Sequence, residues 1–140
     1  MAANRDQERA LELIEKAMRH QMAQEFEDAI RLYKESIALY PTADAHTYLG
    51  WAYSFVGRLN EAIAQCEIAI QLDPDYNLAY YAAYSMLWER GQRERTLSYL
   101  ERWLARHPSD DGARELLRQG RGGGRSPSKP PPPPRMPGFP

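Results

Sequence analysis

Three histidines, one cysteine and scattered carboxylates are the residues through which this 140-residue chain could catalyse a reaction or hold a metal. His20, His46 and His107 stand far apart in sequence, and Cys66 is the only cysteine. That leaves no disulfide within the chain and no paired-cysteine metal or redox motif. A nucleophilic side chain needs a base within hydrogen-bond reach, and no serine here, nor Cys66, has such a partner at a recognisable spacing. The acidic pair Asp110-Asp111 opens an apolar-periodic stretch, where helix capping and the helix dipole account for it. The sequence therefore argues against an enzyme and offers no catalytic, cofactor-binding or metal-binding residues. Its other conspicuous chemistry is aromatic, with three Trp, nine Tyr and three Phe.

What must position those aromatics is set by proline. In the first 126 residues the only prolines are Pro41, Pro74 and Pro108, spaced 33 and then 34 apart. Proline cannot continue a helix, so its regular placement marks one inter-helix corner three times. Aligned on the prolines, Ala29, Ala62 and Thr96 fall in register, as do Tyr33, Cys66 and Leu100. Apolar residues recur at three and four throughout, which predicts an all-helical body with helices over 5–22, 25–39, 43–56, 59–72, 77–90, 93–106 and 110–118. The last of these is predicted to be a cap whose Leu116 and Leu117 cover the open end of the array.

The middle copy reads His46-x-x-Leu49-Gly50-x-x-Tyr53, then Ala62-x-x-x-Cys66, then Pro74. This resembles the tetratricopeptide repeat, whose period is about 34 residues. The resemblance covers roughly residues 10 to 108 and implies an α-solenoid of three helix-turn-helix repeats plus the C-terminal capping helix. Ala17, Gly50, Ala29 and Ala62 are then the small residues where paired helices approach closely, and Gly57 and Gly91 take the turns between helices. The third copy departs from this pattern. Tyr84 and Thr96 occupy both small positions, and Arg93 replaces the apolar residue seen as Phe26 and Leu59, so the third pair is expected to be splayed or repacked. The resemblance also places His20 and His46 at aromatic packing positions, and Cys66 at a phenylalanine position as an inert core thiol.

Charge divides the chain. Five of its 18 basic residues follow Glu115, where there is no acid, leaving 13 against 19 acids in the body. An acidic body argues against nucleic acid, whose affinity is carried by clustered Lys and Arg. Apolar runs are too short for a signal core or a membrane span, so the expected location is cytoplasmic. Residues 1–118 are expected to form one domain and 119–140 a Gly/Pro-rich basic tail, with a flexible linker over 119–128 and a polyproline rod over 130–134.

In the family that the chain resembles, the first helix of each pair lines a concave groove. The resemblance places Leu11, Ile14, Met18, Gln21 and Met22 there, then Asp44, Thr47, Trp51, Ser54 and Phe55 beside Tyr48, then Leu78, Tyr81, Ser85, Trp88 and Glu89. This stripe either packs between neighbouring helices or forms an apolar peptide groove, and Met18, Met22, Tyr48, Trp51, Phe55, Tyr81 and Trp88 are the candidate partner-binding residues. Relatives that hold acidic chaperone tails use Lys, Asn and Arg at positions occupied here by Ile14, Met18, Tyr48, Leu78 and Ala82, so that clamp is absent. The expected function is an adaptor or scaffold binding a partner peptide. The alternatives are a self-assembling scaffold and a secretion-type chaperone for apolar segments. The tail, through Pro130-x-x-Pro133-x-Arg135, is a candidate ligand for a partner's aromatic groove, for this chain's own groove, or for that of a second copy.

Overall fold

The computed structural model describes residues 2–122, with side chains from residue 4 onward. Seven helices follow one another and no strand occurs among the described residues: α1 Ala2–Met22, α2 Phe26–Leu39, α3 Ala43–Phe55, α4 Leu59–Leu72, α5 Asn77–Glu89, α6 Arg93–Arg106 and α7 Asp111–Arg121. Consecutive helices pack as three pairs, α1 with α2, α3 with α4 and α5 with α6, while α2 meets α3, α4 meets α5 and α7 closes on α6. None of these helices is long and apolar enough to cross a membrane. Helix α7 runs to Arg121, three residues past its expected end, and the proline run 130–134 lies outside the described residues.

The proline corners are built alike. Tyr40 and Asp73, each just before a proline, are extended C-caps with φ −157° and −145°. A proline ring forbids the helical conformation to the residue before it. Each cap still donates its amide back into the helix, to Ser36 O and Ala69 O, and His107 repeats this before Pro108 by donating to Trp103 O. The following helices then restart on side-chain caps where the sequence allows. Thr42 Oγ1 accepts from Ala45 N at 3.1 Å, and Asp110 Oδ1 accepts from Ala113 N at 3.1 Å.

Turns within the pairs need one left-handed residue each. Gly57 and Gly91 supply it with φ 80° and 72°, and the matching position in the first pair is Gln24 with φ 62°. A side chain in this conformation costs about 1 kcal/mol that glycine does not.

Between α3 and α4 the backbones nearly touch. A Cβ placed on Gly50 would meet Ala62 O at 3.0 Å and Cys66 Sγ at 3.3 Å. Ala17, Ala29, Ala62 and Cys66 are wholly buried at the corresponding contacts. In the third pair Tyr84 takes the place of Gly50 and Thr96 that of Ala62. A phenol cannot fit in a gap sized for hydrogen, so the contact is repacked rather than repeated. The core divides accordingly. One cluster runs from Leu13 to Tyr99, and a second, at the C-terminal end, contains Tyr84, Leu97, Leu100 and Ala113. Arg93, which breaks the apolar pattern, hydrogen-bonds the Gly120 carbonyl near the end of α7, a favourable place for a cation. The third pair is tied to the second by Arg102 on Glu67, at 3.0 Å, and by Arg106 on Asp75, also at 3.0 Å.

Three consequences can be measured. Replacing Gln24 by Gly is expected to raise stability by about 0.5–1 kcal/mol, seen as a higher thermal midpoint. Gly50→Val, which forces side-chain volume into the α3–α4 contact, is expected to cost about 2 kcal/mol; an unchanged denaturation midpoint would contradict so close an approach. Burial, with the Glu67 carboxylate adding to it, pushes the Cys66 thiol up to about 12. At pH 8 only on the order of one thiol in ten thousand is then ionised, so a thiol reagent should label the folded protein far more slowly than the denatured one.

Candidate functional site

The candidate partner-binding residues fall into three environments. Met18 and Tyr48 are core residues, 6% and 5% exposed. Neither offers an open side chain to a partner in this arrangement. The Tyr33 ring of α2 lies 6.1 Å from that of Tyr48, so Tyr48 packs between pairs rather than into the groove. Its environment is also polar-linked. Tyr76, in the corner before α5, hydrogen-bonds Asp44 and Tyr48, and burial together with these neighbours raises its hydroxyl well above the usual phenol range.

Met22 and Phe55 are the accessible pair, 54% and 59% exposed. They lie at the C-terminal ends of α1 and α3. Phe55 stacks on Phe26, at the start of α2, with ring centroids 5.0 Å apart and planes 14° from parallel. An exposed aromatic braced by a second ring is held in one orientation without being hidden.

Trp51, Tyr81 and Trp88 lie between these limits, each half-buried. Trp51 on α3 packs against the larger core cluster, whereas Trp88 on α5 packs against the C-terminal one. Helices α3 and α5 are in direct contact, and Arg90, capping α5, donates from Nη2 to Ser54 O of α3 at 3.3 Å. The two tryptophans therefore stand on adjacent helices of one face, each with its inner edge anchored and part of its ring open. Burial thus differs from residue to residue along the same stripe.

Electrostatically this face has no cationic clamp. Ile14, Met18, Tyr48, Leu78 and Ala82, at the positions where such a clamp would lie, are all buried. None of these side chains can make a charge-assisted bond to a carboxylate.

The histidines each have a local role. His46 Nδ1 lies 2.6 Å from Gln65 Oε1, and His107 stacks on Trp103 with centroids 3.7 Å apart while its Nε2 is 3.2 Å from Asp75 Oδ1. His20 Nδ1 is 3.1 Å from Glu25 Oε1. With Asp28 these two form a group whose potential ligand atoms lie within 4.8 Å of one another. Both carboxylates are exposed at the start of α2, where the positive end of the helix dipole already favours them and opposes a cation.

One feature was not legible as a site in the sequence. A pocket of ≈ 430 Å³ opens between α5, α6 and α7, walled by Tyr80, Tyr81, Tyr84, Tyr99, Trp103 and Leu116. Its signal was the substitution pattern of the third copy, where Tyr84 and Thr96 replace the small residues that close the second pair.

Comparison with known proteins follows the same lines. A sequence model described as tetratricopeptide repeat matches residues 43–76. The first tetratricopeptide domain of Spaghetti (RPAP3), solved with the HSP90 peptide SRMEEVD, is similar with a TM-score of 0.68 and 23% identity, over 81% of this chain and 91% of that one. The Arabidopsis OM64 tetratricopeptide domain gives 0.69 at 17% identity, over 83% and 97%. The second such domain of human RPAP3, solved with the HSP70 peptide SGPTIEEVD, gives 0.66 at 20% identity, over 86% and 99%. With its middle copy matched in sequence and its helix pairs arranged as in these domains, the chain has an all-α fold of the tetratricopeptide-solenoid type, three helix pairs and a closing helix.

Proposed function

We propose that this chain is an adaptor that captures a partner peptide on the face formed by its first helices, with Trp51, Phe55, Tyr81 and Trp88 as apolar anchors and Met22 at the edge. The observation that carries this reading is the set of ring surfaces left open on α3 and α5, two of them indole. Aromatic residues held rigidly at a surface dominate binding hot spots, because their area is large and little entropy is lost on docking. The similar domains solved with chaperone peptides support a peptide ligand in kind. The absence of cations at the clamp positions favours an apolar or uncharged segment over an acidic tail.

A second reading rests on Leu11 and Met22, 53% and 54% exposed on α1, the first helix of the array. An apolar strip there favours association between copies. Sedimentation over a concentration series separates the two readings, because an adaptor of this kind stays monomeric without its partner.

The test is peptide selection from a random library on the intact protein, followed by titration of the selected peptide. Trp51→Ala and Trp88→Ala, each shown to be folded by circular dichroism, are expected to lose about 2 kcal/mol of binding, or about thirtyfold in Kd. A peptide ending in Glu-Glu-Val-Asp is expected not to saturate the protein. Undiminished affinity in both folded tryptophan variants would remove the groove assignment, and tight binding of the acidic peptide would reverse the ligand chemistry.

A further inference from the structure

The pocket between α5, α6 and α7 borders the proposed peptide face through Tyr81, but neither Trp51 nor Trp88 is among its lining residues. Its size falls in the range of ligand sites, about 300–1,000 Å³. Tyr84 stands where Gly50 stands in the second pair, and its ring, with those of Tyr80, Tyr81 and Tyr99, walls a gap between α5, α6 and α7.

The polar atoms of the wall are largely committed. Trp103 Nε1 donates to Asp110 Oδ2 at 2.9 Å, Tyr80 Oη donates to the Pro74 carbonyl at 2.8 Å, and Tyr99 Oη donates to Glu67. The Tyr84 hydroxyl is buried with no hydrogen-bond partner. With those donors spent, the walls offer ring faces more than hydrogen bonds, so an occupant matched to them brings flat apolar surface. A proline run suits such walls, since its rings lie against aromatic faces while a polyproline helix leaves its carbonyls to solvent.

Such a run occurs in this chain. Five consecutive prolines, Pro130–Pro134, begin eight residues beyond position 122, where the described structure ends. Ala113 and Leu116 of α7 line the pocket, which puts it about 9–14 Å back along the helix from Gly122. A connection of that length spans about 15–17 Å on average. Residues 123–140 carry Arg125, Lys129 and Arg135 and no acid, while Asp110 lies at the pocket and Asp111 beside it is exposed. We infer that Pro130–Pro134 of the same chain docks in the tyrosine-walled pocket between α5, α6 and α7. At the millimolar effective concentration of a short tether, even a weak intrinsic contact is populated.

The experiment uses the full chain and a full-length variant with Pro130–Pro134 all changed to Ser, which leaves every packed helix intact. In isotope-labelled samples, the variant is expected to shift the Trp103 indole N–H and the methyls of Leu100, Ala113 and Leu116, while the methyls of Ile30 and Ile63 stay in place. The intact chain should also show nuclear Overhauser contacts from proline δ-protons to the Tyr99 and Trp103 rings. A synthetic Ser126–Pro140 peptide should bind the serine variant at least about tenfold more tightly than the intact chain, whose pocket is already filled. Leu116→Glu, checked for folding by circular dichroism, should abolish the contacts. Identical spectra and equal peptide affinities would overturn the proposal, and so would proline–ring contacts seen only between differently labelled copies. Since Trp51 and Trp88 stand outside the pocket, failure here leaves the adaptor reading to its own test.

Discussion

The contact on which the array turns is the approach of Gly50 to the Ala62 carbonyl. Two helices can come this close only where one presents hydrogen in place of a side chain. There the gap is fixed from both sides, by a carbonyl that cannot move and a thiol that is wholly buried. Because interiors are packed to near crystal density, this separation passes to the neighbouring contacts. Helix α3 also meets α2 and α5, so a change in its spacing from α4 would be felt on both sides of the second pair.

The third pair shows what happens when that contact is withheld. Tyr84 and Thr96 are fully accommodated, and Thr96 Oγ1 even satisfies itself on the Gln92 carbonyl at 2.9 Å, so the helices are not strained apart at random. Their contact is repacked around the Tyr84 ring and held by other means as well. Arg102 and Arg106 reach back to Glu67 and Asp75 of the preceding repeat and its corner, and Arg93 crosses to the end of α7. Exposed ion pairs of this kind are individually weak. Their effect is orientation: they fix where α6 stands once close packing no longer does. Gly120 completes the arrangement, because any side chain there would collide with Leu97.

Much of this was readable in advance, and the exceptions share a cause. Proline and glycine act through the local backbone, so the corners at Pro41, Pro74 and Pro108 and the turns at Gly57 and Gly91 could be placed from residue type and spacing. Gln24 escaped because its backbone is imposed by the pair it joins and leaves no mark in its own chemistry. Met18 and Tyr48 escaped for a related reason. Spacing tells which residues share a helix face, but whether that face meets water depends on what α2 places opposite it. Arg93 looked like a defect in the apolar pattern until its acceptor, a carbonyl 27 residues away, came into view.

The same distinction governs the two aromatic surfaces. On the α3–α5 face, Trp51 and Trp88 pack their inner edges into separate core clusters, so each ring is oriented before any ligand arrives. A partner of the kind proposed would gain the area of the open edge without the entropy of ordering a side chain. At the α5–α6–α7 pocket the rings are likewise fixed, yet their hydroxyls and indole N–H are mostly spent on internal acceptors. That difference bears on the two proposed occupants. On the proposed peptide face, flanked by solvent, backbone amides can stay wet, so apolar side chains would carry the contact. In the pocket the wall donors are spent, so ring faces rather than hydrogen bonds would carry it. Tyr81 stands at the border of both, and the tyrosine-rich third pair is what sets the second surface beside the first.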